Sequence, residues 1–105
     1  MSYLPDIYKE FQQRYPEIAN GYGTLAETIH QSGPLDVKTR RLVKLGVAMG
    51  QSSEGAVKSH ARRGLSEGLS PEELRHAVLM VFTTAGFPAM IAAMKWVEEV
   101  IEKSK

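Results

Sequence analysis

Apolar side chains recur every three or four residues along most of the chain, and no segment shows the two-residue alternation of a half-buried strand. The pattern is clearest after Ser70, where this serine, Pro71 and Glu73 form a capping box ahead of a regular apolar stripe. The stripe consists of Leu74, Ala77, Val78, Val81, Phe82 and Ala85. The sequence therefore predicts an all-α fold, a bundle of about six helices forming a single domain over residues 1–105.

Prolines, glycines and capping residues between the apolar segments give approximate boundaries for the helices. The predicted helices span about Pro5–Tyr15, Pro16–His30, Asp36–Met49, Gln51–Gly68, Ser70–Ala85 and Pro88–Lys103. The last of these is apolar on two faces, one carrying Met90 and Val97 and the other Ala89 and Trp96. Because a small domain cannot cover both faces alone, the sequence predicts a homo-oligomer.

The uncharged run Val78–Met94 is long enough to raise the question of a membrane span. Pro88 stands at its middle, however, so two buried helices joined by a corner fit it better. A formal net charge of +1 gives no electrostatic reason to expect a nucleic-acid or membrane partner. The start of the chain does not resemble a secretory leader, and a cytoplasmic location is the expectation.

The sequence contains no cysteine, which excludes disulfides, thiolate metal sites and thiol catalysis within this chain. Its three histidines, His30, His60 and His76, are too far apart to form a local metal motif. We therefore expect neither a metal nor a cofactor. His30 and His76 are interpreted as structural or surface residues.

His60 lies at the centre of the stretch Gln51–Gly68, on a face of small and apolar residues. The side chains three and four positions away on that face include neither a nucleophile nor an acid, and Ser53 is about 10 Å distant along the helix axis. A partner for the ring must therefore come from another helix or another subunit. Two interpretations stay open: a histidine lining a functional pocket, and a core histidine hydrogen-bonded to the backbone.

A second cluster consists of four cations in the first half of the third predicted helix, with no acid among them. Its members are Lys38, Arg40, Arg41 and Lys44. One interpretation is a solvated helix face, and the other is an anion-binding site.

The order and spacing of several short motifs resemble the carboxymuconolactone decarboxylase family, which includes the alkyl hydroperoxidase D-like proteins. The matching pieces are Leu35–Arg40, Ser59-His60-Ala61, Gly68–Leu74 and the corner Ala85–Ala89. Together they extend over about two thirds of the chain. The resemblance implies an all-α domain of the alkyl hydroperoxidase D type that assembles into homo-trimers or hexamers.

The peroxidase branch of that family uses two cysteines before the histidine and a glutamate on the preceding helix. The corresponding positions here are Ser53, Ala56 and Arg41, so thiol peroxidase activity of the peroxiredoxin type is disfavoured. The decarboxylase branch lacks the cysteine pair and keeps a histidine at the position of His60.

The resemblance to the decarboxylase branch implies a cofactor-free lyase for a small carboxylated, lactone-type substrate. His60 would be the catalytic general acid or base, while Arg41, Ser53 and also Lys44 are candidates for binding the substrate. This chain has Thr84 where the decarboxylases usually have a polar aromatic residue, so the substrate itself stays open. The alternative is a non-catalytic helical oligomer that keeps the fold.

Overall fold

The computed structural model describes residues 5–105, which form six α-helices. These are α1 (Asp6–Arg14), α2 (Pro16–His30), α3 (Val37–Gly50), α4 (Glu54–Ser66), α5 (Pro71–Ala85) and α6 (Phe87–Lys103). No strand occurs within the described residues, which confirms the predicted all-α class. Each helix lies within a few residues of its predicted range.

The chain divides into two compact units, one ending at Pro34 and the other comprising Leu35–Lys105. Described by itself, the first unit consists of α1 and α2, neither of which has a buried residue. The predicted apolar face of α2 is exposed, since Ile18, Tyr22, Leu25 and Ile29 are 56–66% accessible. The prediction of one domain over residues 1–105 stays a prediction, and its first four residues lie outside the described part.

The second unit contains helices α3–α6 and a continuous hydrophobic core. Fully buried core side chains come from all four helices: Leu45, Met49, Val57, Leu74 and Val97. The predicted corner is confirmed, because α5 ends at Ala85 and Gly86 adopts a φ of 98° before α6 begins. Within residues 5–105, no helix is long and apolar enough to cross a membrane.

Side-chain caps start two of these helices as the sequence predicts. The Asp36 carboxylate accepts a hydrogen bond from the Thr39 backbone N–H at 2.8 Å. In the capping box, the Glu73 N–H donates to the Ser70 hydroxyl at 3.0 Å, and the Ser70 N–H donates to the Glu73 carboxylate at 2.9 Å. Ser53 occupies the N-cap position of α4, but its hydroxyl accepts no hydrogen bond from the first turn.

The prediction that α6 has an apolar face which this chain cannot cover is wrong for the residues that it named. Ala89 and Trp96 are partly buried against the core, so the fold of the second unit covers most of both faces. Exposed apolar side chains of the second unit include Val43, Val47 and Met80 on α3 and α5, at 52–63% accessibility. On α6 the exposed ones are Phe87 and Ile91, which are not the residues of the predicted faces.

Candidate functional site

The side chain of Arg41 is buried in the second unit, with only 7% of the residue exposed. On α3 it follows the same face as Leu45 and Ala48, which enter the core. Its aliphatic stem crosses α4 at Gly64, where an added Cβ would lie 3.4 Å from Arg41 Cγ. The absence of a side chain at Gly64 therefore lets the stem pass. The interpretation of the basic cluster as a solvated helix face is therefore wrong for Arg41.

Glu67 meets Arg41 from the C-terminal end of α4. The helix ends in a Schellman motif, in which the Leu69 N–H donates to the Gly64 carbonyl at 2.9 Å and the Gly68 N–H to the Leu65 carbonyl at 3.2 Å. Gly68 takes the required left-handed conformation with a φ of 101°. This ending fixes the backbone on both sides of Glu67, the C-cap residue.

Arg41 and Glu67 form a two-pronged ion pair. The Arg41 Nε–H donates to Glu67 Oε1 at 2.8 Å, and an Nη2–H donates to Oε2 at 2.9 Å. Sequence reasoning missed Glu67 because the two residues are 26 positions apart. One signal could have found it: Glu67 follows His60 by seven residues, a spacing that puts both side chains on the same face of a helix.

His60 receives its hydrogen bond from the third nitrogen of the same guanidinium. Arg41 Nη1 lies 2.8 Å from His60 Nδ1. This contact confirms that the partner of the ring comes from another helix. It also replaces the backbone partner that the interpretation as a core histidine required.

The arginine determines which nitrogen of the His60 ring carries the proton. A guanidinium has donors and no acceptor, so Nδ1 must accept and the proton of the neutral ring is on Nε2. In the described residues no hydrogen bond reaches Nε2, and no buried side-chain nitrogen or oxygen lacks a partner. The residue is only partly buried, so this N–H remains available to a bound molecule.

The environment of His60 favours the uncharged ring. Burial, followed by the positive charges of Arg41, Arg63 and Lys44, lowers the pKa of His60 to about 4, and Glu67 opposes this only in part. The pKa of Lys44 is also lowered, first by burial and then by Arg41 and Arg63. Three cations and one carboxylate thus surround a neutral histidine, which leaves a positive potential at the ring. Such a potential suits a carboxylate ligand.

The other residues predicted for a site are not brought into this cluster. Ser53 stays at the opposite end of α4 from Glu67, and its role in substrate binding stays a prediction. His30 ends α2 in the first unit. Among residues 5–105, no group of three histidine, aspartate or glutamate side chains is arranged to hold a metal.

An open groove lies between α3 and α5, with a volume of about 740 Å³. Its lining is mostly apolar: Thr39, Leu42, Val43, Gly46, Val47, Glu73, His76, Ala77, Met80, Val81 and Thr84. None of the three clustered residues, Arg41, His60 and Glu67, lines this groove. The groove and the histidine site are therefore separate features of the second unit.

The model of the carboxymuconolactone decarboxylase family matches residues 16–99, which include every residue of the histidine site. The chain belongs to this family. A crystal structure of a family protein from Legionella pneumophila superposes with a TM-score of 0.81 at 26% identity, covering 93% of this chain and 88% of that one. Both findings agree with the resemblance drawn from the motifs.

Two relatives of this family member carry the names of decarboxylases. The 4-carboxymuconolactone decarboxylase of Acinetobacter baylyi is 34% identical over 94% of this chain and 69% of its own length. The nitrosuccinic acid decarboxylase of Metarhizium robertsii is 32% identical over 74% of this chain and 57% of its own length.

Proposed function

We propose that this family member is a cofactor-free lyase that removes carbon dioxide from a small carboxylated substrate at His60. The observation that carries the proposal is the 2.8 Å contact from Arg41 to His60 Nδ1, which places the proton of this partly buried ring on Nε2. The surrounding charges of Arg41, Lys44 and Arg63 support it, since they attract carboxylates.

The chemistry of the two named relatives indicates a substrate class. Loss of carbon dioxide from nitrosuccinic acid leaves a carbanion that a nitro group stabilises, and loss from carboxymuconolactone leaves one that a conjugated lactone carbonyl stabilises. In both cases negative charge collects on an oxygen atom. The proposed substrate is therefore an acid whose reacting carbon is conjugated to such an oxygen.

The proposed step breaks the bond between the carboxylate carbon and its neighbour. Carbon dioxide leaves, the bonding electron pair passes to the nitro or carbonyl oxygen, and His60 Nε2–H donates a hydrogen bond to that oxygen. A proton from solvent then adds to a carbon of the resulting anion, and this restores the neutral nitro compound or lactone. The general acid or base predicted for His60 becomes, in this proposal, a hydrogen-bond donor, because the lone pair of Nδ1 is occupied by Arg41.

The test is release of carbon dioxide from nitrosuccinate and from 4-carboxymuconolactone by the purified chain, by H60L and by H60Q. Leucine has no N–H at this position, so we expect kcat/KM of H60L to fall by about 100-fold or more. The amide of H60Q can accept from Arg41 and still donate a hydrogen bond, so H60Q should lose clearly less activity than H60L. H76Q is the matched control, because His76 lies in the groove outside the histidine site, and it should leave turnover unchanged. Turnover equal to the uncatalysed rate, or equal in wild type and H60L, would contradict the proposal.

A second candidate function, a non-catalytic homo-oligomer that keeps the fold, is supported by the groove between α3 and α5. An exposed apolar surface of this kind is typical of a subunit interface. Under this proposal copies of the chain cover the groove, in the trimer or hexamer that the family resemblance implies. M80E should then lower the mass measured by light scattering, whereas T83E, an exposed position on α5 outside the groove lining, should not. A monomeric wild-type chain would overturn it.

A further inference from the structure

We propose that Glu67 is a positioning residue for His60. It fixes the guanidinium of Arg41 so that Nη1–H donates to Nδ1, which sets His60 in the tautomer that presents Nε2–H. The effect of Glu67 on catalysis rests on the proposed function. Its effect on the tautomer of the His60 ring does not.

The geometry of the ion pair determines the direction of the third hydrogen bond. A guanidinium is planar, and two bonds from Nε and Nη2 to one carboxylate fix the orientation of that plane. The remaining terminal nitrogen, Nη1, is then held 2.8 Å from His60 Nδ1. Glu67 therefore controls the ring through an atom that it does not itself contact.

Charge balance gives a second reason for this role. Arg41 is 7% exposed, and Lys44 and Arg63 add positive charge at the same place. Without a carboxylate at position 67, the Arg41 charge is buried among other cations, which favours movement of the guanidinium toward water. His60 Nδ1 then loses its donor, and both neutral tautomers become accessible to the ring.

The chain contains a matched control for the loss of a bidentate pair. Arg75 Nε and Nη2 donate to the two carboxylate oxygens of Glu98 at 2.8 and 3.0 Å, far along the chain from the histidine. Both side chains of this pair are substantially exposed. E98A therefore removes an ion pair of the same shape without altering a partner of His60.

The experiment measures the ¹⁵N chemical shifts of the histidine rings at pH 7 in wild type, E67A, E67Q and E98A, with H60Q assigning the His60 signals. Protonated and unprotonated ring nitrogens have widely separated shifts. We expect wild type and E98A to show one tautomer with the proton on Nε2. E67A should show a mixture of tautomers, and E67Q, which keeps one acceptor, should be intermediate.

Either of two results would overturn the proposal: a wild-type ring protonated on Nδ1, or an unchanged Nε2–H tautomer in both Glu67 variants. Should E67A not fold, E67Q and the wild-type spectrum still decide the question. Where wild type turns over a substrate, E67Q should lower kcat more than it raises KM, and E98A should change neither. Absence of turnover would count against the proposed lyase, while the ring spectra would still test the role of Glu67.

Discussion

Arg41 on α3 and Glu67 at the end of α4 face each other through two parallel hydrogen bonds of 2.8 and 2.9 Å, with the arginine almost completely buried. The pair joins two helices, and it also supplies the acceptor that a buried guanidinium requires. R41M removes both hydrogen bonds that Arg41 donates to the Glu67 carboxylate, so we expect a loss of about 2 kcal/mol in the free energy of unfolding. This is below the full cost of a broken buried pair because Glu67 is part-exposed. Urea unfolding at fixed protein concentration measures it.

The control for this prediction is R75M, which breaks the similar pair with Glu98 and also the contact of Arg75 with the exposed Glu72. Because the Arg75 and Glu98 side chains are 39% and 44% exposed, water replaces much of what the pair contributes. R75M should therefore destabilise the chain clearly less than R41M. Equal losses of stability in the two variants would show that burial does not increase the contribution of the Arg41 pair.

At Gly64, α4 packs closely against two neighbouring side chains. A Cβ there would lie 2.9 Å from Leu69 Cδ1 and 3.4 Å from Arg41 Cγ, and Leu69 is buried and has little room to move. G64A gains about 1 kcal/mol of helix propensity, but crowding costs about 1–3 kcal/mol. We expect a net loss of stability and a perturbed His60 signal in the ring spectra.

The comparison for Gly64 is Gly55 on the same helix, where an added Cβ meets nothing within 4 Å. G55A should keep or slightly raise the urea midpoint, since only the propensity term acts. A destabilised G55A together with a neutral G64A would mean that α4 does not pack closely against its neighbours at Gly64.

Much of the fold could be predicted because its signals are local. The capping box at Ser70, the N-cap at Asp36 and the corner at Gly86 each depend on a few consecutive residues. The Arg41–Glu67 pair could not be predicted in this way, because it depends on the register between α3 and the end of α4. The same reason explains the error about α6, since coverage of Trp96 is decided by neighbouring helices.

Substitutions at Gly68 test the Schellman motif that ends α4 and fixes the backbone beside Glu67. At a φ of 101°, any residue with a side chain is strained, and a Cβ would also lie 3.1 Å from Lys38 Cε. G68A should therefore cost about 1–2 kcal/mol, and G68N should cost less because asparagine tolerates the left-handed region better. Equal urea midpoints for wild type and G68A would contradict the Schellman ending.

The last prediction concerns the dependence of stability on pH. The pKa of His60 is about 4 in the folded chain and near its ordinary 6.5 when unfolded. Between these values the unfolded chain binds a proton that the folded chain does not, so the free energy of unfolding falls as the pH is lowered from about 7 to 4. Below pH 4 the ring is protonated in both states, and its effect stops growing.

H60Q isolates this contribution, since it keeps every other titrating group, including His30 and His76. A pKa unit corresponds to about 1.4 kcal/mol, and solvent beside the half-buried ring reduces the effect. We therefore expect the difference in free energy of unfolding between wild type and H60Q to change by roughly 1–2 kcal/mol between pH 7 and 4. The measurement is urea unfolding at several pH values and one protein concentration, because assembly would make stability concentration-dependent. Parallel curves for the two proteins would mean that burial and the neighbouring charge of Arg41 do not keep His60 neutral, and the hydrogen-bond donor proposed for catalysis would lose its basis.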